Sequence, residues 1–129
     1  MKKILVAAHR AGNSLSSIRC ALNKGADIVE LDVHMTKDYK LVVGHSPYII
    51  IKNEKMYFEE INYSEYSNLI LSLEEIFELT KKSDFSLLVD IKKGKCFYDK
   101  IGVRLAGLIT EFQLEKRVQV ISFDHVALL

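Results

Sequence analysis

Two acids, Glu30 and Asp32, stand two residues apart in the apolar run from Ile28 to Val33. Side chains in a strand alternate faces, so these two carboxylates share one face. Carboxylates buried side by side repel and lose hydration, which is costly without compensation. A divalent cation compensates, and hard cations take carboxylate oxygens. A half-buried edge strand with both acids in water is the alternative. His9 and Arg10 directly follow the apolar run Ile4 to Ala8. They set an acid/base imidazole beside a guanidinium fork that matches phosphate oxygens. His45 ends a second apolar run, Leu41-Val42-Val43-Gly44. Asp90 interrupts a third, and Lys92 follows on the same strand face. That pair reads equally as a buried ion pair or as part of a site.

These groups need strands to carry them and helices to cover the strands. The pattern predicts strands over residues 3–8, 27–33, 40–44, 85–91 and 118–122. A helix is expected over 14–24, with Asn13 as N-cap, Gly25 just past its end, and Leu15, Ile18 and Leu22 on one face. Ser72 and Glu75 form a capping box that opens a helix from 73 to about 82. A longer helix at 97–113 carries Ile101, Leu105, Leu108, Ile109 and Phe112, and Asp124 is placed to cap a last one. Residues 46–63, with the only proline, read as a long loop with a small hairpin around Tyr48–Ile51 and Met56–Phe58.

Near-continuous apolar strands alternating with amphipathic helices predict an α/β parallel sheet covered on both faces. The seven residues between Asp32 and Lys40 are too few for a helical crossover. They allow an extended return, or a hairpin turning at Lys37-Asp38 that is expected to set the acids and His45 nearer opposite ends. Length fits one domain over 1–129. A net charge of +1 offers no field for nucleic acid or membrane, and no stretch reaches membrane-spanning length. The five-residue apolar run before His9 is shorter than a signal-peptide core. Two cysteines, Cys20 and Cys96, form neither a disulfide framework nor a zinc spacing. The expectation is a cytoplasmic protein.

The ordered stretches His9-Arg10, Asn13-Ser14-Leu15, Gly25-Ala26-Asp27, Glu30-Leu31-Asp32-Val33, Thr36-Lys37-Asp38 and Val42-Val43-Gly44-His45 resemble the glycerophosphodiester phosphodiesterases. Val120 to Asp124 is similar to the family's fifth strand. The resemblance covers the chain but only about half of a family domain. It implies a partial, truncated (β/α)8 TIM-type barrel with about five strands and a helix-free connection between strands two and three. That connection favours the extended return. The resemblance also implies one divalent cation, Mg²⁺ or Ca²⁺, on Glu30, Asp32 and Asp90, where Asp90 replaces the family's longer Glu. Arg10 and Lys92 would hold phosphate oxygens, and His9 and His45 would divide general acid and base work. His34 and His125 are read as non-catalytic, and Ser122 and Phe123 as structural.

The implied reaction is metal-dependent hydrolysis of a small-molecule glycerophosphodiester to an alcohol and glycerol phosphate. Three departures bear on it. Ala11 and Gly12 stand where the family has Pro-Glu, Ser46 replaces an Asp after the second histidine, and a full barrel needs about 250 residues. A catalytically incomplete remnant or binder that keeps the anion and metal site is therefore the alternative. An interaction module pairing through its exposed sheet edge is another. An open sheet of this kind leaves an apolar face that a homo-oligomer would cover.

Overall fold

The computed structural model describes residues 3–123; Asp124 with its expected helix, and His125, lie outside them. Among the described residues the main sheet has five strands. Its centre is β2 (Ile28–Met35). Strand β6 (Ser86–Ile91) pairs parallel along one edge of β2, with Asp32 opposite Asp90, and β7 (Val118–Ile121) pairs parallel beyond it. The other edge of β2 is shared. Its start pairs parallel with β1 (Ala7–Ala8), and its end pairs antiparallel with β3 (Leu41–Val43).

Alternation divides this sheet into two unlike faces. Val29, Leu31, Val33 and Met35 of β2 and Leu87, Val89 and Ile91 of β6 point to one side. There they meet Ile18 of α1 (Leu15–Asn23), Leu73, Ile76 and Phe77 of α3 (Leu73–Lys81), and Ile101, Leu105 and Leu108 of α4 (Ile101–Glu111). The expectation that both faces are covered fails among the described residues, because these helices all pack on this one face. On the opposite, inner face Ile28 and Leu88 are half-buried, Gln119 is exposed and Ile121 is 42% exposed.

Strand one is shorter than the apolar run suggested. Ile4, Leu5 and Val6 are 85%, 59% and 53% exposed, so these side chains find little to pack on, although the Val6 carbonyl accepts from the Asp27 and Ile28 N–H groups. The return to β3 is the hairpin, not the extended descent. Strand β2 continues two residues past the expected end at Val33, so the chain turns through Thr36–Lys40 and comes back level with the acids. The Gly44 N–H then donates to the Asp32 carbonyl at 3.1 Å. A hairpin whose tip lies beyond the acids therefore returns His45 to them, which corrects the expected separation.

The segment after β3 builds a second, smaller core. Strands β4 (Tyr48–Ile51) and β5 (Glu54–Tyr57) form a hairpin through Lys52 and Asn53, both at positive φ. That is the backbone a two-residue turn requires. Ile49 and Met56 pack with Val42, Phe58, Ile61 and Ile70, and the short α2 (Tyr63–Tyr66) follows. The Asp38 carboxylate accepts from the amides of Tyr63 and Ser64. The capping box of α3 is present: the Ser72 hydroxyl accepts from the Glu75 N–H, and the Glu75 carboxylate accepts from the Ser72 N–H. Helix α4 starts at Ile101, later than expected, because Lys100 takes a left-handed conformation.

Candidate metal and phosphate site

The inner face carries the chemistry, from the middle of β2 and the carboxyl end of β6. Glu30, Asp32 and Asp90 each offer a carboxylate oxygen, and these oxygens lie within 4.8 Å of one another. All three are buried, Asp32 to 1% exposure. Register explains the meeting. Asp32 and Asp90 are neighbours across the parallel ladder, and Glu30, one step earlier on that face, has the longer side chain. Lys92 Nζ lies 2.8 Å from Asp90 Oδ2 and 3.5 Å from Asp32 Oδ1. Three carboxylates against one ammonium leave two negative charges when all are ionised, the charge a divalent cation cancels.

The surroundings pull on these groups in opposite directions. Burial pushes the Glu30 carboxyl up, the Arg10 amide opposes it, and the Asp32 and Asp90 charges reinforce it. Burial pulls Lys92 down, but Asp90 and Asp32 outweigh it and hold the ammonium above its usual range. Asp90 Oδ1 is buried with no hydrogen-bond partner. An unpartnered buried carboxylate oxygen is costly. With the charge imbalance and the all-oxygen donor set, it fits a hard divalent cation.

The turn after β1 grips the cluster from the side. Arg10 sits at φ 57° and its N–H donates to Glu30 Oε2 at 2.5 Å. The Arg10 guanidinium is exposed, so its bond to the cluster is the backbone amide. His9 is exposed at the rim, its Nε2 3.8 Å from Glu30 Oε2. His45 is exposed too, and it is the backbone before it that joins Asp32. Thus Glu30, Asp32, Asp90 and Lys92 come together, His9 borders them, Arg10 reaches them through its amide, and His45 follows Gly44, whose N–H bonds the Asp32 carbonyl. Phe123 is 92% exposed, with Lys92 Nζ 5.7 Å from its ring centre. The Ser122 hydroxyl donates to the Ile91 carbonyl.

Asn13 is the site residue that sequence reasoning missed. It does not cap α1; Ser14 does, its hydroxyl accepting from the Ser17 N–H. Asn13 lies instead in a 3-10 turn over Ala11–Asn13. Its Nδ2 donates to Asp32 Oδ2 at 2.9 Å, and the Asp32 N–H donates back to its Oδ1 at 3.0 Å. Gly12 permits this approach, since a Cβ there would stand 2.5 Å from Leu31 Cβ. Besides the Asn13-Ser14-Leu15 stretch of the family resemblance, the signal the sequence carried is a glycine just before a polar residue. His34, read as non-catalytic, is buried with its pKa pushed down to about 4 by burial. Its ring nitrogens meet the Tyr98 hydroxyl and the His45 carbonyl.

Among the described residues no helix is long and apolar enough to cross a membrane. Residues 6–125 match the glycerophosphoryl diester phosphodiesterase family. A glycerophosphodiester phosphodiesterase of Caldanaerobacter subterraneus is 33% identical over 98% of this chain and 60% of its own length. One of Bacillus altitudinis is 33% identical over 90% of this chain and 54% of its own. The chain thus spans little more than half the length of these relatives. A glycerophosphodiester phosphodiesterase structure from Parabacteroides distasonis superposes with a TM-score of 0.79 at 27% identity, over 95% of this chain and 58% of that one. One from Agrobacterium tumefaciens gives 0.80 at 19%, over 97% and 60%, a likeness of fold. The described sheet is the matching part of their TIM-type barrel. With the match spanning nearly all its residues, the chain belongs to the glycerophosphoryl diester phosphodiesterase family.

Proposed function

We propose that this chain carries the metal and phosphate half-site of a glycerophosphodiester hydrolase, which releases an alcohol and glycerol phosphate. The observation that carries the reading is the buried Glu30, Asp32 and Asp90 cluster bridged by Lys92. Glu30, Asp32 and Asp90 would hold one Mg²⁺ or Ca²⁺. When bound, that ion neutralises a phosphoryl oxygen and lowers the pKa of an attacking hydroxyl. Asn13 holds Asp32 in place, and the Arg10 amide holds Glu30. Lys92 and the Arg10 guanidinium draw the remaining phosphate oxygens. His9, exposed at the rim, and His45, exposed just after Gly44, exchange protons with the attacking and leaving oxygens.

The test is release of glycerol phosphate from a glycerophosphodiester, with and without a chelator. His9→Ala and His45→Ala should each lower turnover by about 10², and chelation should stop it. Turnover unaffected by chelator would contradict the metal role.

The half-open inner face favours a second reading, in which the chain binds metal and anion without turnover. Phosphate binding with no hydrolysis at any protein concentration would select it. A second copy covering that face is part of the proposal; light scattering that finds only a 14.8 kDa species would exclude it. The exposed free thiols of Cys20 and Cys96 support a reducing, cytoplasmic setting.

A further inference from the structure

His34 follows Glu30 and Asp32 on the inner face of β2 and is 1% exposed, yet the proposed hydrolysis gives it no task. Its ring is where three segments meet. Nδ1 lies 2.8 Å from the Tyr98 hydroxyl, and Nε2 lies 3.4 Å from the His45 carbonyl oxygen. The Phe58 ring leans on it, centroids 5.5 Å apart, and Tyr98 meets it edge-on at 5.8 Å. So the exit of β3, the turn after the β4–β5 hairpin and the loop between β6 and α4 all rest on one imidazole.

We propose that His34 and Tyr98 are positioning residues that fix the peptide at His45, and so the place from which its imidazole works. The backbone on either side is already tied down. The Gly44 N–H donates to the Asp32 carbonyl, and the Pro47 carbonyl accepts from the Phe58 N–H. Between these anchors lie His45 and Ser46, and the His34 ring takes the His45 carbonyl. A carbonyl only accepts, which puts a hydrogen on Nε2. In the neutral ring Nδ1 then accepts from the Tyr98 hydroxyl. The Met35 backbone also hydrogen-bonds the Tyr98 hydroxyl, and the loop before Tyr98 is tied down at Lys95, whose N–H donates to Glu59 Oε1 at 2.7 Å and whose Nζ donates to Glu60 Oε1 at 2.5 Å. Gly94 permits this closeness, since a Cβ there would lie 2.9 Å from both Glu59 Oε2 and the Tyr98 hydroxyl. The role of His45 rests on the hydrolysis proposed above; the hydrogen bonds do not.

The test uses isotope-labelled chain without added metal, as wild type, His34→Leu, His34→Gln and Tyr98→Phe. Imidazole nitrogen spectra should show His34 protonated at Nε2. Amide relaxation at His45 should match β3 in the wild type, loosen in His34→Leu, loosen less in Tyr98→Phe, and recover in His34→Gln, which keeps a donor. Where turnover is measured, kcat should fall about tenfold in His34→Leu, since small misplacements of a reacting group are costly, with KM nearly unchanged. A proton on Nδ1, or unchanged His45 relaxation in His34→Leu, overturns the proposal. If His34→Leu does not fold, Tyr98→Phe decides, because it removes one oxygen and keeps the ring. A wild type that does not hydrolyse defeats the functional reading and leaves the relaxation result to decide this one.

Discussion

The two faces of the same two strands do opposite work. On the outer face Val29, Leu31, Val33 and Val89 are fully buried under three helices. On the inner face, above Ile28 and Leu88, the alternate residues include three acids, a lysine reaching back to them and a histidine. Period-two alternation lets one strand supply both, so folding and chemistry share a backbone without sharing side chains. The outer face should carry most of the stability, while the inner face spends some of it. Substitutions on each side should separate the two.

Phe77 should give the largest effect. It is fully buried and packs edge-on against Phe112 at 5.6 Å. Phe77→Ala is expected to cost about 3–5 kcal/mol in denaturant unfolding, a large share of the stability of a domain this size. A loss under about 1 kcal/mol would show that the outer core is not where stability lies.

Gly12 joins the faces, because the turn it allows lies against Leu31 while Asn13 reaches Asp32. Gly12→Ala should cost about 1–3 kcal/mol and weaken cation binding as Asn13 is pushed away. Gly107→Ala is the control. A Cβ there meets nothing within 4 Å, and alanine in mid-helix should stabilise by about 0.5–1 kcal/mol. Equal effects at the two glycines would mean that close approach does not distinguish them.

A smaller contrast lies in pH dependence. Glu30 has a raised pKa in the fold, so the stability it contributes without cation is present below the ordinary glutamate range and is lost as pH rises through the folded pKa. Asp38 is the reverse. Partial burial pushes its carboxyl up, but the Thr36 hydroxyl and the Tyr63 and Ser64 amides prevail and hold it low. Its contribution is present above the ordinary aspartate range and lost as pH falls. In metal-free unfolding across acid pH, Glu30→Gln should remove the first slope and Asp38→Asn the second. If either variant left its slope unchanged, that assignment would be wrong.

How much of this was legible depended on whether neighbours mattered. Glu30 and Asp32 announced a shared face because alternation is local, and so did Asp90 with Lys92. The Ser72–Glu75 box was equally local. The limits of β1 were not, since Ile4 to Val6 are as apolar as a strand but leave their side chains exposed, with Val6 held only by hydrogen bonds to Asp27 and Ile28 among the described residues. The hairpin after β2 was misjudged because a two-residue extension, invisible in hydrophobicity, moves the turn beyond the acids. Asn13 and Tyr98 were missed because their partners lie 19 and 64 residues away in sequence. Long-range hydrogen bonds leave no periodic trace.

The central claim is that Glu30, Asp32 and Asp90 form one divalent-cation site. Calorimetric titration of the chain with Mg²⁺ and with Ca²⁺, alongside Glu30→Gln and Asp90→Asn, tests it most directly. The account predicts a single saturable site in the wild type for at least one ion, weakened at least about tenfold in either variant, with thermal unfolding showing both variants folded. Equal, weak binding by all three proteins would contradict it.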